Sequence, residues 1–115
     1  MPYNRGDVVL VLFPDSNLRT AKRRPALVVQ ADHLQTGLPQ TVVAMITSNA
    51  ARAGHTSRVA ISPSSLEGRQ MGLRADSIVM TDNLATVLEN EIDRTIGRCG
   101  LMHAIDAALR HTLAL

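Results

Sequence analysis

The chain has no tryptophan and only one tyrosine and one phenylalanine, Tyr3 and Phe13, in 115 residues. Modules that bind RNA by stacking bases on a sheet need several aromatic rings, so neither an RRM nor an ordinary single-strand-binding OB-fold is expected. Any contact with nucleic acid has to rest on charge and hydrogen bonds. A single cysteine, Cys99, rules out an internal disulfide framework and a multi-cysteine metal site. It fits a reducing compartment, and burial is the expected fate of its thiol. His, Asp and Glu form no cluster at ligand spacing, so neither a metal nor another cofactor is expected. The Gly-rich phosphate loop, HExxH and GxSxG are all missing, which removes the usual signatures of nucleotide hydrolysis, zinc proteolysis and α/β-hydrolase chemistry. No segment approaches the ~20 apolar residues of a membrane span, and Met1 to Asp7 carries no apolar core of signal-peptide length. A cytoplasmic protein is expected.

Charge is present in a particular place. The formal net charge is only +2, yet four of the twelve Lys and Arg residues (Arg19, Lys22, Arg23 and Arg24) fall within six positions. The cations run directly into Pro25-Ala26-Leu27-Val28-Val29, an apolar, β-branched stretch. Proline begins strands more readily than it sits inside them, so the cations are expected at the mouth of a strand. Arg24, beside the rigid proline, is best placed to grip one phosphate with both arms of its guanidinium. Nucleic acid is the partner this points to. The alternative is that Lys22 and Arg23 merely solvate a loop.

A chain of this length with 45% hydrophobic residues is enough for one domain, spanning residues 1–115. Val8 to Phe13 is an unbroken apolar run bounded by turn formers, and further strands are expected at Ala26 to Gln30, Thr41 to Thr47 and Arg58 to Ser62. Asp15 to Arg24 exceeds a tight hairpin and reads as a functional loop, and Ser48 to Thr56 reads as a second one. Pro63 to Gly68 can close a helical turn. Asp76 to Thr81 and Leu84 to Val87 read as two strands paired around Asp82-Asn83, and Arg94 to Cys99 as a last one. Only the C-terminus shows a helical period, in Leu101, Ile105, Leu109 and Leu113, with Asp106 and Arg110 spaced for a surface ion pair. Seven short strands and one terminal helix suit a small closed or half-closed barrel.

Thr47 and Ser48 close one apolar run as Arg24 opens another. If those two strands pair antiparallel, Arg24 and Thr47 meet at one rim of the sheet, where a cation beside a hydroxyl can hold a phosphodiester. Thr47 simply capping its strand is the plainer alternative. His33 and His55 are candidate bases, because an unperturbed histidine titrates near pH 6.5. His55 as a solvated loop residue is the competing view.

Arg5-Gly6-Asp7-Val8-Val9, Lys22-Arg23-Arg24-Pro25-Ala26-Leu27-Val28-Val29, Ile46-Thr47-Ser48 and Asp76-Ser77-Ile78-Val79-Met80-Thr81-Asp82 occur in the order in which the MazF/PemK family of toxin endoribonucleases carries similar segments. The resemblance runs from Gly6 to the C-terminal helix. It implies a mainly β domain of the SH3-like barrel type shared by CcdB and PemK, with a C-terminal helix. It also implies a homodimer, a cognate antitoxin that blocks the site, DNA binding by the toxin–antitoxin complex, and metal-independent cleavage of single-stranded RNA by attack of the 2′-OH. The family's catalytic arginine and threonine match Arg24 and Thr47. Asp82 matches an acid that some members use as acid/base partner, but Met80 stands where those members have an arginine. The loop before Arg24 also departs from the common pattern, so cut-site preference does not transfer. RNA contacts are expected from Arg19, Lys22, Arg23, Ser48, Arg52 and His55. The rival functions are a CcdB-like toxin that binds DNA gyrase without enzymatic action, and an inactive barrel that only binds RNA or its antitoxin.

Overall fold

The computed structural model describes residues 3–14, 17 and 19–115; of the expected Asp15–Arg24 loop, Asp15, Ser16 and Leu18 lie outside the described residues. Six strands follow the apolar runs: β1 (Asp7–Pro14), β2 (Ala21–Val28), β3 (Gln40–Thr47), β4 (Arg58–Ile61), β5 (Ser77–Leu88) and β6 (Ile92–Arg98). All neighbours are antiparallel, in the order β4-β5-β3-β2-β1-β6. The edges, β4 and β6, are not paired with each other among the described residues, so of the closed or half-closed barrel that the strand count suggests, the closed form is not found.

The unbroken apolar runs arise because both faces of the central strands are covered. Val8, Leu27, Ala44 and Ile46 point into one core together with Met71 and Ile105, while Val9, Val11, Ala26, Val28 and Val43 point into a second with Val87 and Ile92. Each fully buried valine, leucine, isoleucine or methionine among them contributes about 1.5–3 kcal/mol. Helix α1 (Leu66–Gln70) is capped by Ser65, whose Oγ accepts the Gly68 N–H at 3.0 Å. Helix α2 (Met102–Leu113) buries Ile105 and Ala108 and packs over β4 and β5. Asp106 is not engaged by Arg110 as its spacing suggests. It takes the Arg5 guanidinium at 2.6 Å, tying the opening of β1 to α2. The Gly6-Asp7 step has a local reason as well: Gly6 holds φ +96°, and Asp7 accepts the Asn4 N–H at 2.8 Å and pairs with Arg98 at 2.7 Å. Among the described residues, no helix is long and apolar enough to cross a membrane.

Two expectations fail here for physical reasons. Six strands replace seven because β3 runs alongside the whole of β5; Ala44 faces Leu84 while Met45 faces Met80, so Thr81 to Asn83 are absorbed as a bulge instead of a turn between two strands. The cations are also not at a strand mouth. Strand β2 begins at Ala21, and Lys22, Arg23, Arg24 and Pro25 all stand within it, opposite Phe13, Leu12, Val11 and Leu10. Proline is tolerated there because β3 covers β2 only from Ala26 onward, leaving β2 with one open edge at Pro25.

Candidate RNA-binding cleft

That open edge makes the site. β2 and β3 pair at Ala26–Met45, Leu27–Ala44 and Val28–Val43, and then diverge. Arg24 and Thr47 each lie two positions beyond the Ala26–Met45 pair. Both line a cleft of about 950 Å³ together with Lys22, Arg23 and Ser48. The Thr47 Oγ1 accepts the Asn49 N–H at 3.1 Å, which fixes the side chain and leaves its O–H to donate. Strand capping and phosphate binding are therefore compatible in this threonine.

The far wall comes from segments that nothing local in the sequence marks. Arg69 at the end of α1, Arg74 in the connection to β5, and Arg94 on β6 also line the cleft. Arg94 reaches it through the sheet, since Leu10 is paired with Pro25 on one side and Arg94 on the other. Backbone contact holds the α1 end in place. Gly72 adopts φ +73°, and a Cβ there would run into the Ile96 carbonyl; a Cβ at Gly97 would run into the carbonyls of Gln70 and Met71. Only glycine permits this approach.

Six cations, Lys22, Arg23, Arg24, Arg69, Arg74 and Arg94, thus face the cleft, and among the described residues no carboxylate lines it. Asp93 stands beside it, 3.5 Å from Arg23 Nε and 3.1 Å from Arg94 Nη1. One carboxylate shared between two guanidiniums leaves the rim strongly positive, as a polyanion site requires.

The other expected site residues are elsewhere. Asp82 lies in the β5 bulge and is not among the cleft-lining residues; its carboxylate is held by Arg58 at 2.8 Å. The Arg58 hydrogen bond holds the Asp82 carboxyl below the usual carboxylate range, against a smaller opposing effect of burial. Arg58 is the cross-strand partner of Met80, so the guanidinium missing at position 80 is supplied from β4. Arg52 and His55 cluster there too. The Arg52 carbonyl accepts from Arg58 Nη1 at 3.2 Å, and His55 Nδ1 accepts the Ser57 N–H at 3.1 Å, with its ring 6.2 Å from that of His111. Arg19 is exposed, its N–H on the Asn17 side chain, and His33 is exposed with φ 60°; neither lines the cleft. Cys99 is buried, and burial pushes its thiol up.

Residues 4–113 match the family of PemK-like, MazF-like toxins of type II toxin–antitoxin systems. The endoribonucleases MazF6 of Mycobacterium tuberculosis and MazF2 of Mycobacterium bovis are each 34% identical over 107 residues, 90% of this chain and 90% of theirs. A mycobacterial endoribonuclease solved in complex with its cognate antitoxin superimposes with a TM-score of 0.74 at 23% identity, over 98% of this chain and 96% of that one. A MazE–MazF structure from Deinococcus radiodurans also gives 0.74, at 16% identity over 98% and 97% of the two chains. At these identities the structural likeness speaks for the fold.

Proposed function

The chain belongs to the PemK-like, MazF-like toxins of type II toxin–antitoxin systems, and we propose that it is an endoribonuclease that cuts single-stranded RNA in the cleft between β2, β3 and β6. The observation that carries this reading is that Arg24 and Thr47 line one cleft that, among the described residues, holds six cations and no acid.

In the reaction, a ribose 2′-OH attacks its own phosphorus and the P–O5′ bond breaks, leaving a 2′,3′-cyclic phosphate and a 5′-OH. Negative charge builds on the phosphorane oxygens, and the Arg24 guanidinium, whose planar fork can give two N–H donors to one phosphate, stabilises it. An arginine does not deprotonate at ordinary pH, so its role is charge stabilisation and hydrogen-bond donation and not that of a base. Thr47 orients the phosphate through its free O–H. Lys22, Arg23 and Ser48, joined by Arg69, Arg74 and Arg94, hold the neighbouring phosphates. Asp82, expected as the base, takes no part in this reading: it stands outside the cleft, and a carboxylate held below its ordinary pKa is a poor proton acceptor near neutrality. Arg19, Arg52 and His55 are likewise given no direct role.

The same reading extends to assembly. The protein works in the cytoplasm as an SH3-like barrel homodimer, a state supported by large apolar side chains left at the surface, among them Leu12, Leu34, Leu38 and Leu88. An acidic, partly disordered antitoxin segment complements the cationic cleft and blocks RNA by occupying it. Incubating the pure protein with a long single-stranded RNA in EDTA tests the function. Fragments ending in 2′,3′-cyclic phosphate are expected. Cleavage that EDTA abolishes and Mg²⁺ restores, or no cleavage at all, overturns the reading.

A further inference from the structure

Thr47, at the end of β3, is paired with Ile78 on β5. Beside this pair lies a second cavity of about 370 Å³, walled by Ala50, Ala53, Ala60, Ile61 and Ile78. Ser48 and Ser77 line both cavities, so the second opens directly off the cationic cleft. The two differ in chemistry. The cleft is lined by cations, whereas the annex is lined by alanine and isoleucine together with Ser48, Ser62 and Ser77, and among the described residues its one charged residue is Asp76.

Asp76 is exposed, and among the described residues its carboxylate is engaged by no hydrogen bond or ion pair. A carboxylate placed off a phosphate site repels the backbone of a nucleic acid, so it has no use as a backbone contact. It is acceptor-only, and what it can receive is a pair of N–H donors. A mostly apolar lining with one such acceptor describes a seat for a nucleobase presented on its Watson–Crick edge. Of the four RNA bases, only guanine offers two adjacent donors on that edge, N1–H and the N2 amine. Cytosine and adenine set an acceptor beside their one amine, and uracil sets its single N–H between two carbonyls. Those acceptors would face the carboxylate and be repelled.

We propose that this annex takes the base of a nucleotide flanking the scissile phosphate and that Asp76 selects guanine there. The inference rests on the endoribonuclease reading for its biological meaning, but its test does not depend on cleavage.

One arm digests a randomised RNA pool and sequences the ends. Wild-type protein should enrich guanine at one fixed position beside the cut. Asp76→Ala should lose that preference while still cutting, and Asp76→Asn, with one donor and one acceptor, should shift it away from guanine. The second arm measures binding of thymine-flanked pentadeoxynucleotides, which lack the attacking 2′-OH, with guanine, hypoxanthine, adenine or cytosine at the centre. Guanine should bind about tenfold or more tighter than hypoxanthine, which lacks the N2 amine, and Asp76→Ala should erase that gap. Equal binding of all four by wild-type protein, or a guanine preference that survives in Asp76→Ala, overturns the inference. If wild-type protein cuts no RNA, the endoribonuclease reading fails and the binding arm still decides the annex.

Discussion

Arg24 on β2 and Thr47 on β3 line one cleft, each two positions beyond Ala26 and Met45, the pair at which the β2–β3 pairing ends. The pairing of β2 with β3 fixes both backbones, so the two residues are carried to the same cleft by the sheet. Preorganisation of this kind is what makes a charge contact worth more in a site than in water.

Replacing Arg24 by alanine should therefore slow cleavage on the order of 10²-fold or more, compared at a temperature where circular dichroism shows the variant folded. Lysine should rescue little, since it lacks the planar fork. Single-turnover cleavage of a defined RNA reads both variants, and a wild-type rate in Arg24→Ala removes the residue from the reaction.

Thr47 has two tasks, accepting the Asn49 N–H and donating to the phosphate. Thr47→Ser keeps both and should cut within a few-fold of wild type. Thr47→Val keeps the shape and loses the hydroxyl, so cleavage should fall about 10²-fold, the usual cost of one preorganised donor. The comparison is made at a temperature where circular dichroism shows both variants folded. Equal activity of the valine variant would make Thr47 a strand cap only.

The Arg58–Asp82 pair predicts a pH effect on stability and little on catalysis. Because Asp82 is held below its ordinary pKa when folded, the pair stabilises the protein at neutral pH. That contribution should fade as pH drops below about 3.9, the value in an unfolded chain, and vanish once the pH is below the folded value. Thermal melts of wild type and Asp82→Asn should differ at pH 7 and converge near the bottom of that range. Cleavage by Asp82→Asn should fall by far less than the roughly 10²-fold that loss of a general base causes. A 10²-fold loss with an unchanged fold would restore Asp82 to the reaction.

Gly97→Ala should destabilise the fold by about 1–3 kcal/mol, the usual cost of overpacking, because its Cβ would press on the carbonyls of Gln70 and Met71. It should also weaken RNA binding, since the displaced segment carries Arg69 and Arg74 into the cleft. Urea unfolding and RNA titration read the two effects. Wild-type stability would mean that β6 and the α1 end do not meet as described.

By itself the sequence determined whatever depends on residues close together along the chain. The apolar runs placed β1 and β3, the four-residue period placed α2, and Gly6-Asp7 marked the turn into β1. Antiparallel pairing of two runs was enough to bring Arg24 toward Thr47. Tertiary structure decided the rest, because it turns on register and on where one strand stops covering another. Pro25 sits inside β2 only because β3 leaves that edge open. Asp82 is claimed by Arg58 only because β4 lies against β5 in a register that sets Arg58 opposite Met80. Arg69, Arg74 and Arg94 come to the cleft from segments far from Arg24 in sequence, brought there by backbone contact at Gly72 and Gly97 and by Leu10 between two neighbours. A local window carries the propensity of each residue to be strand or helix, but which distant backbone packs against it is settled only when the whole core closes.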